Sequence, residues 1–171
     1  MTIVYLSLGS NMGDRAENIA RAIAGLGQRG VRVTRESSLY ETEPLEIREQ
    51  PWFLNCAIAA ETEFSPERLM EVLLDIEREM GRERVVPKGP RLIDIDILLY
   101  GSDIVRGPGL EIPHPRMAER KFVLVPLAEI AGEVNHLVAM MTIAEMLEAT
   151  ADRSEVRKWP GGNMTNARQA F

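Results

Sequence analysis

Leu92-Ile93-Asp94-Ile95-Asp96-Ile97-Leu98-Leu99-Tyr100 is the stretch that decides the fold. Apolar residues alternate in it with two aspartates, the period of a strand whose successive side chains point to opposite faces. Ile93, Ile95, Ile97 and Leu99 are therefore expected on one face, against a core, with Asp94 and Asp96 on the other. Aspartate is depleted in strands, so two at this spacing need an explanation. Their Cα atoms should lie about 6.6 Å apart, two residues at roughly 3.3 Å each. That separation suits two carboxylates that grip a pair of Mg²⁺ ions, or one ion bridging phosphates. A half-exposed strand with a polar outer face is the plain alternative.

Working outward, residues 3–8 read as a strand ending at Gly9, and Asp14-Arg15-Ala16-Glu17 as the capping box of a helix. Ile19, Ala22, Ile23 and Leu26 give that helix its apolar stripe, and Gly27 and Gly30 end it. Residues 31–42 read as a second strand, irregular near Ser37-Ser38, and residues 53–62 as a third. Ser65-Pro66 starts a helix buried through Leu69, Leu73, Ile76 and Met80 and stopped by Gly81. After the decisive strand, a turn at Gly101-Ser102-Asp103 leads to a short partner strand around Ile104-Val105, then a loop over 108–115. Residues 122–125 read as a further strand, 127–131 as a short helix and 142–149 as a last helix. The order strand-helix-strand-strand-helix-strand predicts an α+β, ferredoxin-like fold with helices packed on an antiparallel sheet. One domain over 1–151 is expected, followed by a loosely held, Gly- and Pro-punctuated tail over 152–171.

The net charge of −6 argues against a general nucleic-acid or anionic-membrane binder. It also counts against an RNA-binding ferredoxin-like domain, as does the lack of interleaved sheet aromatics. Cys56 is the only cysteine, so no intrachain disulfide forms, which fits a reducing cytoplasm. The start lacks the pattern of a signal peptide, and no apolar run approaches membrane-spanning length. No heptads or large apolar face call for assembly, so a monomer is expected.

Against that acidic background residues 78–91 hold five cations (Arg78, Arg82, Arg84, Lys88, Arg91) and two anions (Glu79, Glu83). A solvated loop explains this as well as a polyanion site does. Arg91, at the entrance of the Asp94/Asp96 strand, favours the polyanion. A metal-bound triphosphate needs oxygen ligands for the cation and guanidinium forks for the remaining oxygens. Glu77, beside the apolar stripe of the preceding helix, reads as a nucleotide contact or as an ion-pair partner of the arginines. His114, held between Pro113 and Pro115, reads as a phosphate or nucleotide contact or as a surface histidine, with Arg120 and Phe122 near the same rim. On the third strand Phe53 and Asn55 share a face, an aromatic plane beside an amide that suits a flat heterocycle. Gly9-Ser10-Asn11-Met12-Gly13 lacks the lysine and spacing of a phosphate loop, and one strand-to-helix turn accounts for both its glycines.

Several segments together carry a resemblance: Leu8-Gly9-Ser10-Asn11, Tyr40-Glu41-Thr42-Glu43-Pro44-Leu45, Gln50-Pro51-Trp52-Phe53-Leu54-Asn55, Gly81-Arg82, Gly89-Pro90-Arg91-Leu92-Ile93-Asp94-Ile95-Asp96-Ile97, Pro113-His114-Pro115-Arg116 and Phe122-Val123-Leu124-Val125-Pro126-Leu127. From residue 2 to about 131 the chain resembles the 6-hydroxymethyl-7,8-dihydropterin pyrophosphokinases of folate biosynthesis. The resemblance implies a ferredoxin-like α/β/α sandwich and diphosphate transfer from ATP to the pterin hydroxymethyl group, releasing AMP. It implies that Asp94 and Asp96 bind two Mg²⁺ ions. No general base is readable from the sequence, and Asp96 is taken separately as the acceptor of the alcohol proton. Arg82 and Arg91 would stabilise the transferring group. Glu77, Arg84, Lys88, Arg91, His114 and Arg120 would contact ATP. Thr42, Pro44, Leu45, Phe53, Asn55 and Phe122 would form the pterin pocket. Lys88 stands where some members carry tryptophan, Val85-Val86-Pro87 is stiff for a closing loop, and Gly109 replaces a basic residue of some members. These departures keep a non-catalytic nucleotide- or pterin-binding module as the competing reading.

Overall fold

Thr2–Ser10, the first strand β1, lies inside a single antiparallel sheet with long strands hydrogen-bonded along both its edges. The computed structural model describes residues 1–45, 49–81 and 90–163. In chain order the elements are β1, α1 (Arg15–Gln28), β2 (Arg32–Glu36), β3 (Ser38–Thr42), β4 (Phe53–Thr62), α2 (Pro66–Glu79) and β5 (Asp94–Tyr100). Then come β6 (Val105–Gly107), β7 (Leu110–Ile112), a 3-10 turn at Met117–Glu119, α3 (Lys121–Ala131), β8 (Asn135–His136), β9 (Met141–Thr142), α4 (Ile143–Ala149) and β10 (Val156–Asn163). The main sheet runs β10-β3-β4-β1-β5, and β2 continues the line of β3 along β4 after a break at Ser37.

The helices form where their caps and stripes require. Asp14 accepts from the Glu17 amide at 3.1 Å and Ser65 from the Arg68 amide at 3.1 Å, satisfying donors that a helix start leaves unpaired. Ile19, Ala22, Ile23 and Leu26 of α1 and Leu69, Val72, Leu73 and Ile76 of α2 pack on Val4, Leu6, Leu8, Leu54, Ile58, Ile95 and Ile97. On the opposite face α3 and α4 cover Ala57, Ala59, Leu98 and Leu99, making the second core of an α/β/α sandwich. That second layer covers only part of its face, and the uncovered part becomes the site described below.

Four expectations change. Leu99 lies with the α3/α4 core and not with Ile93, Ile95 and Ile97. Tyr5 pairs with Leu99 and Leu6 with Ile97, so Leu98 is an extra residue, and a bulge reverses the side-chain phase beyond it. Residues 122–131 are not a strand followed by a short helix but one helix, α3, with Pro126 inside it. Val123, Leu124, Leu127, Ile130 and Ala131 are all buried at helical spacing, and that packing overrides the β preference of Phe-Val-Leu-Val. β6 pairs with β7, inside the expected 108–115 loop, and not with β5. Finally, within the 152–171 stretch that the sequence suggested was loosely held, β10 joins the main sheet beside β3, while residues 164–171 lie outside the described residues.

Candidate active site

Strand register builds the site. Asn55 of β4, Gly9 of β1 and Asp94 of β5 stand side by side, and so in the next row do Ala57, Ser7 and Asp96. On the other flank Thr42 of β3 pairs with Phe53. Directly opposed residues share a face. Phe53, Asn55, Asp94 and Asp96 are therefore on the face that α3 and α4 leave partly open. They line a cleft of about 400 Å³ with Thr42, Pro44, Leu45, Arg91, Arg120 and Phe122.

The aromatic end is held by short contacts. Asn55 Nδ2 donates to Thr42 Oγ1 at 2.6 Å, and both side chains are buried. A Cβ on Gly9 would lie 2.3 Å from Asn55 Oδ1, so glycine is required inside the strand for the amide to lie across it. The turn explanation thus applies only to Gly13, whose φ is +64°. Phe122 sits in the first turn of α3, with the Arg120 guanidinium 5.7 Å from its ring centroid.

At the acidic end Arg91 Nη1 lies 3.6 Å from Asp94 Oδ1. Arg91 is positioned through its backbone. Its N–H donates to Asn11 Oδ1 at 2.6 Å, and its carbonyl accepts from the Asn11 N–H at 3.0 Å. Asn11 Nδ2 donates to Gln50 Oε1 and to the Pro51 carbonyl, both at 3.0 Å. One buried amide therefore joins the entrance of β5 to the segment that opens β4. The sequence reading missed Asn11, although an Asn beside a strand end is a residue suited to bonding nearby backbone. It also missed Ser7, Glu43, Gln50, Arg116 and Glu119 on the cleft wall.

Two expected nucleotide contacts do not line this cleft. Glu77 is buried, and its Oε1 accepts from the Ile95 N–H at 2.9 Å, bracing the outer edge of β5. His114 borders a second cavity of about 270 Å³ shared with Arg106, Glu111 and His136. Its Nδ1 accepts from the Arg116 N–H at 3.2 Å. Burial, then the charges of Arg120 and Arg116, push its pKa down to about 4 against the opposing pull of Asp94. The imidazole is therefore neutral near pH 7, with Nε2 left to carry the hydrogen. Arg82, Arg84 and Lys88 lie outside the described residues.

The donor set fits Mg²⁺. Asp94 and Asp96 offer oxygen ligands from one strand face, and among the described residues no group of three His, Cys, Asp or Glu side chains surrounds a metal position. One or two carboxylates completed by substrate phosphates and water is the usual protein share of such a site.

The family model of 7,8-dihydro-6-hydroxymethylpterin-pyrophosphokinase matches residues 5–132. The chain belongs to this family. The pyrophosphokinase domain so defined contains every cleft residue named above, whereas β10 lies beyond the match. The chain is 44% identical over 158 residues to the 2-amino-4-hydroxy-6-hydroxymethyldihydropteridine pyrophosphokinase of Bacillus subtilis, covering 92% of this chain and 90% of that one. To the protein of the same name from Methylorubrum extorquens it is 45% identical over 159 residues, covering 92% and 99%. It also matches folic acid synthesis protein fol1 of Pneumocystis carinii at 44% over 149 residues, 87% of this chain but only 20% of that one. Among solved structures, an HPPK-DHPS in complex with substrates superposes with a TM-score of 0.68 at 16% identity, over 86% of this chain and 43% of that one. That likeness shows the shared fold. Among the described residues no helix is long and apolar enough to cross a membrane.

Proposed function

We infer that this pyrophosphokinase transfers diphosphate from ATP to the hydroxymethyl group of 6-hydroxymethyl-7,8-dihydropterin, releasing AMP for a step of folate biosynthesis. One observation carries the reading: the register that sets Asn55, Gly9 and Asp94 in a row puts an aromatic-amide wall and an acidic-arginine wall in one cleft. A reaction that joins two unlike substrates needs both.

Phe53 and Phe122 bracket the flat heterocycle, with Pro44 and Leu45 closing its rim. Thr42 and Asn55 hydrogen-bond its polar edge. Asp94 and Asp96 hold two Mg²⁺ ions, which when bound neutralise phosphate charge and align the triphosphate. Arg91 compensates charge on the transferring group, with Arg82 as its partner from the 82–89 segment. Arg84, Lys88, His114 and Arg120 contact the nucleotide, and Glu77 supports the site by holding the β5 edge through the Ile95 N–H. The pterin alcohol oxygen forms a bond to the β-phosphorus as the bond from that phosphorus to the α,β-bridging oxygen breaks. AMP leaves with that electron pair, and the Asp96 carboxylate accepts the alcohol proton. Positioning and charge compensation supply most of the rate in such transfers. The enzyme acts as a monomer in the cytoplasm.

The Bacillus subtilis and Methylorubrum extorquens relatives are named pyrophosphokinases, which supports catalysis and gives no support to the non-catalytic alternative. The deciding experiment follows nucleotide products from ATP, Mg²⁺ and 6-hydroxymethyl-7,8-dihydropterin. AMP in step with pterin diphosphate is expected; ADP, or binding of both substrates without turnover, overturns the reading.

A further inference from the structure

The protein has two tryptophans, and both are stacked on arginines in one cluster behind the cleft. The Arg157 guanidinium lies 4.6 Å from the Trp52 ring centroid, and that of Arg15 lies 5.1 Å from Trp159. Glu41 joins the two. Its Oε1 accepts from Arg157 Nη2 at 2.7 Å and Nε at 3.1 Å, and its Oε2 accepts from Arg15 Nη2 at 2.9 Å. Arg15 Nη1 then donates to the Trp52 carbonyl at 2.8 Å, closing the circuit. Burial acts to raise the Glu41 carboxyl, but the hydrogen bonds and charges of the two arginines outweigh it and hold it below the usual range.

The placement of this cluster gives it a consequence for the cleft. Glu41 pairs with Leu54 on the α1/α2 side of the sheet, while the next residue, Thr42, pairs with Phe53 on the cleft side. Trp52 directly precedes Phe53, and Gln50, two residues earlier, lines the cleft. The residue just before β10 adds a zipper beside the cluster: Glu155 N–H donates to Glu43 Oε1 at 2.8 Å, and Glu43 N–H donates to the Glu155 carbonyl at 3.2 Å. Glu43 is itself on the cleft wall. Arg157 and Trp159 lie beyond residues 5–132, so part of this chain's substrate wall is held by an element outside the matched domain.

We propose that Arg157 on β10 is a positioning residue for the heterocyclic substrate, fixing the 50–53 segment from behind through Trp52 and Glu41. The proposal rests on the pyrophosphokinase reading. Arg157 is not part of the cleft lining and acts through Trp52 and Glu41, whose chain neighbours Phe53 and Thr42 line it, so its removal should affect one substrate and not the other. ATP is recognised at the opposite end, through Asp94, Asp96 and Arg91.

The test compares wild-type protein with Arg157→Ala and Arg157→Lys. Its readouts are calorimetric binding of 6-hydroxymethylpterin and of Mg²⁺ with a non-hydrolysable ATP analogue, steady-state kinetics and tryptophan emission. Arg157→Ala should weaken pterin binding and raise the pterin KM about tenfold, the scale of one lost stack with its charged hydrogen bonds. ATP-analogue affinity should stay within about twofold, and tryptophan emission should shift to the red as Trp52 gains water. Arg157→Lys keeps the charge but not the fork, and should fall between the two. With over half of the Arg157 side chain exposed, the alanine variant should fold, which circular dichroism checks. Unchanged pterin affinity in a folded Arg157→Ala protein, or equal losses for both ligands, overturns the positioning role alone. A wild-type protein that binds no pterin overturns the functional reading and this role with it.

Discussion

Asn55 lies across Gly9 so closely that its Oδ1 occupies the space a Cβ on Gly9 would need, at 2.3 Å. Gly9→Ala should therefore push the amide off Thr42 Oγ1. Overpacking of this kind costs about 1–3 kcal/mol, read as a lower midpoint in denaturant. Pterin affinity should fall with it, measured by calorimetry. In Gly9→Ala/Asn55→Ser the stability should return while pterin binding does not, because the clash is gone and the recognising amide with it.

Asp96→Asn keeps the shape of the side chain and removes its charge. Turnover should drop by at least about a thousandfold, the several kcal/mol that metal-assisted charge compensation supplies. The thermal midpoint should move little, since the side chain faces the cleft and not a core. A folded variant with substantial AMP production would show that the carboxylate pair does not hold the metal.

Asn11→Ala removes three side-chain hydrogen bonds that join Arg91, Gln50 and Pro51. At roughly 1 kcal/mol each the loss is about 2–3 kcal/mol, or some 5–10 °C in the melting midpoint. Both substrates should bind more weakly even well below that midpoint, because Asn11 steadies the entrances of β4 and β5 together. A loss of stability with both affinities unchanged would limit Asn11 to the fold.

His114 gives a pH dependence with a definite sign. The unfolded chain takes up this proton near 6.5, the folded protein only near 4. Between those values the unfolded state binds more protons, so stability falls as pH drops through the window and is unaffected by this group above it. Discounted for partial solvent access, the effect should be about 1–2 kcal/mol. Unfolding free energies at pH 7 and pH 4.5 should converge more closely in His114→Asn than in wild type.

Most of the sheet, and several of the residues that meet in the cleft, were legible in the sequence, because a two-residue period and helix caps are local signals. Asp94, Asp96, Phe53 and Asn55 were placed on the right relative faces by alternation alone. What was not legible depends on distant partners. Leu99 changes sides because of one extra residue, which a strict alternation cannot register. α3 looked like a strand, since Phe122-Val123-Leu124-Val125 has strand composition and only its packing on Ala57, Ala59 and Leu98 makes it helical. β10 gave no apolar alternation, and its pairing with β3 is carried by backbone bonds and by Arg157 and Trp159. Asn11 looked like a turn residue because its partners are 39, 40 and 80 positions away.

The row Asn55–Gly9–Asp94 also works as a ruler. Two interstrand steps of about 4.8 Å put roughly 10 Å between Asn55, proposed to face the heterocycle, and Asp94, proposed to face the phosphates. Backbone ladders set that length, and side-chain repacking cannot stretch it. Acceptors with the reactive hydroxyl moved one methylene further from the ring should thus be rejected as a matter of reach, however well their rings stack, and evolution of a new acceptor length would have to insert or remove a strand position.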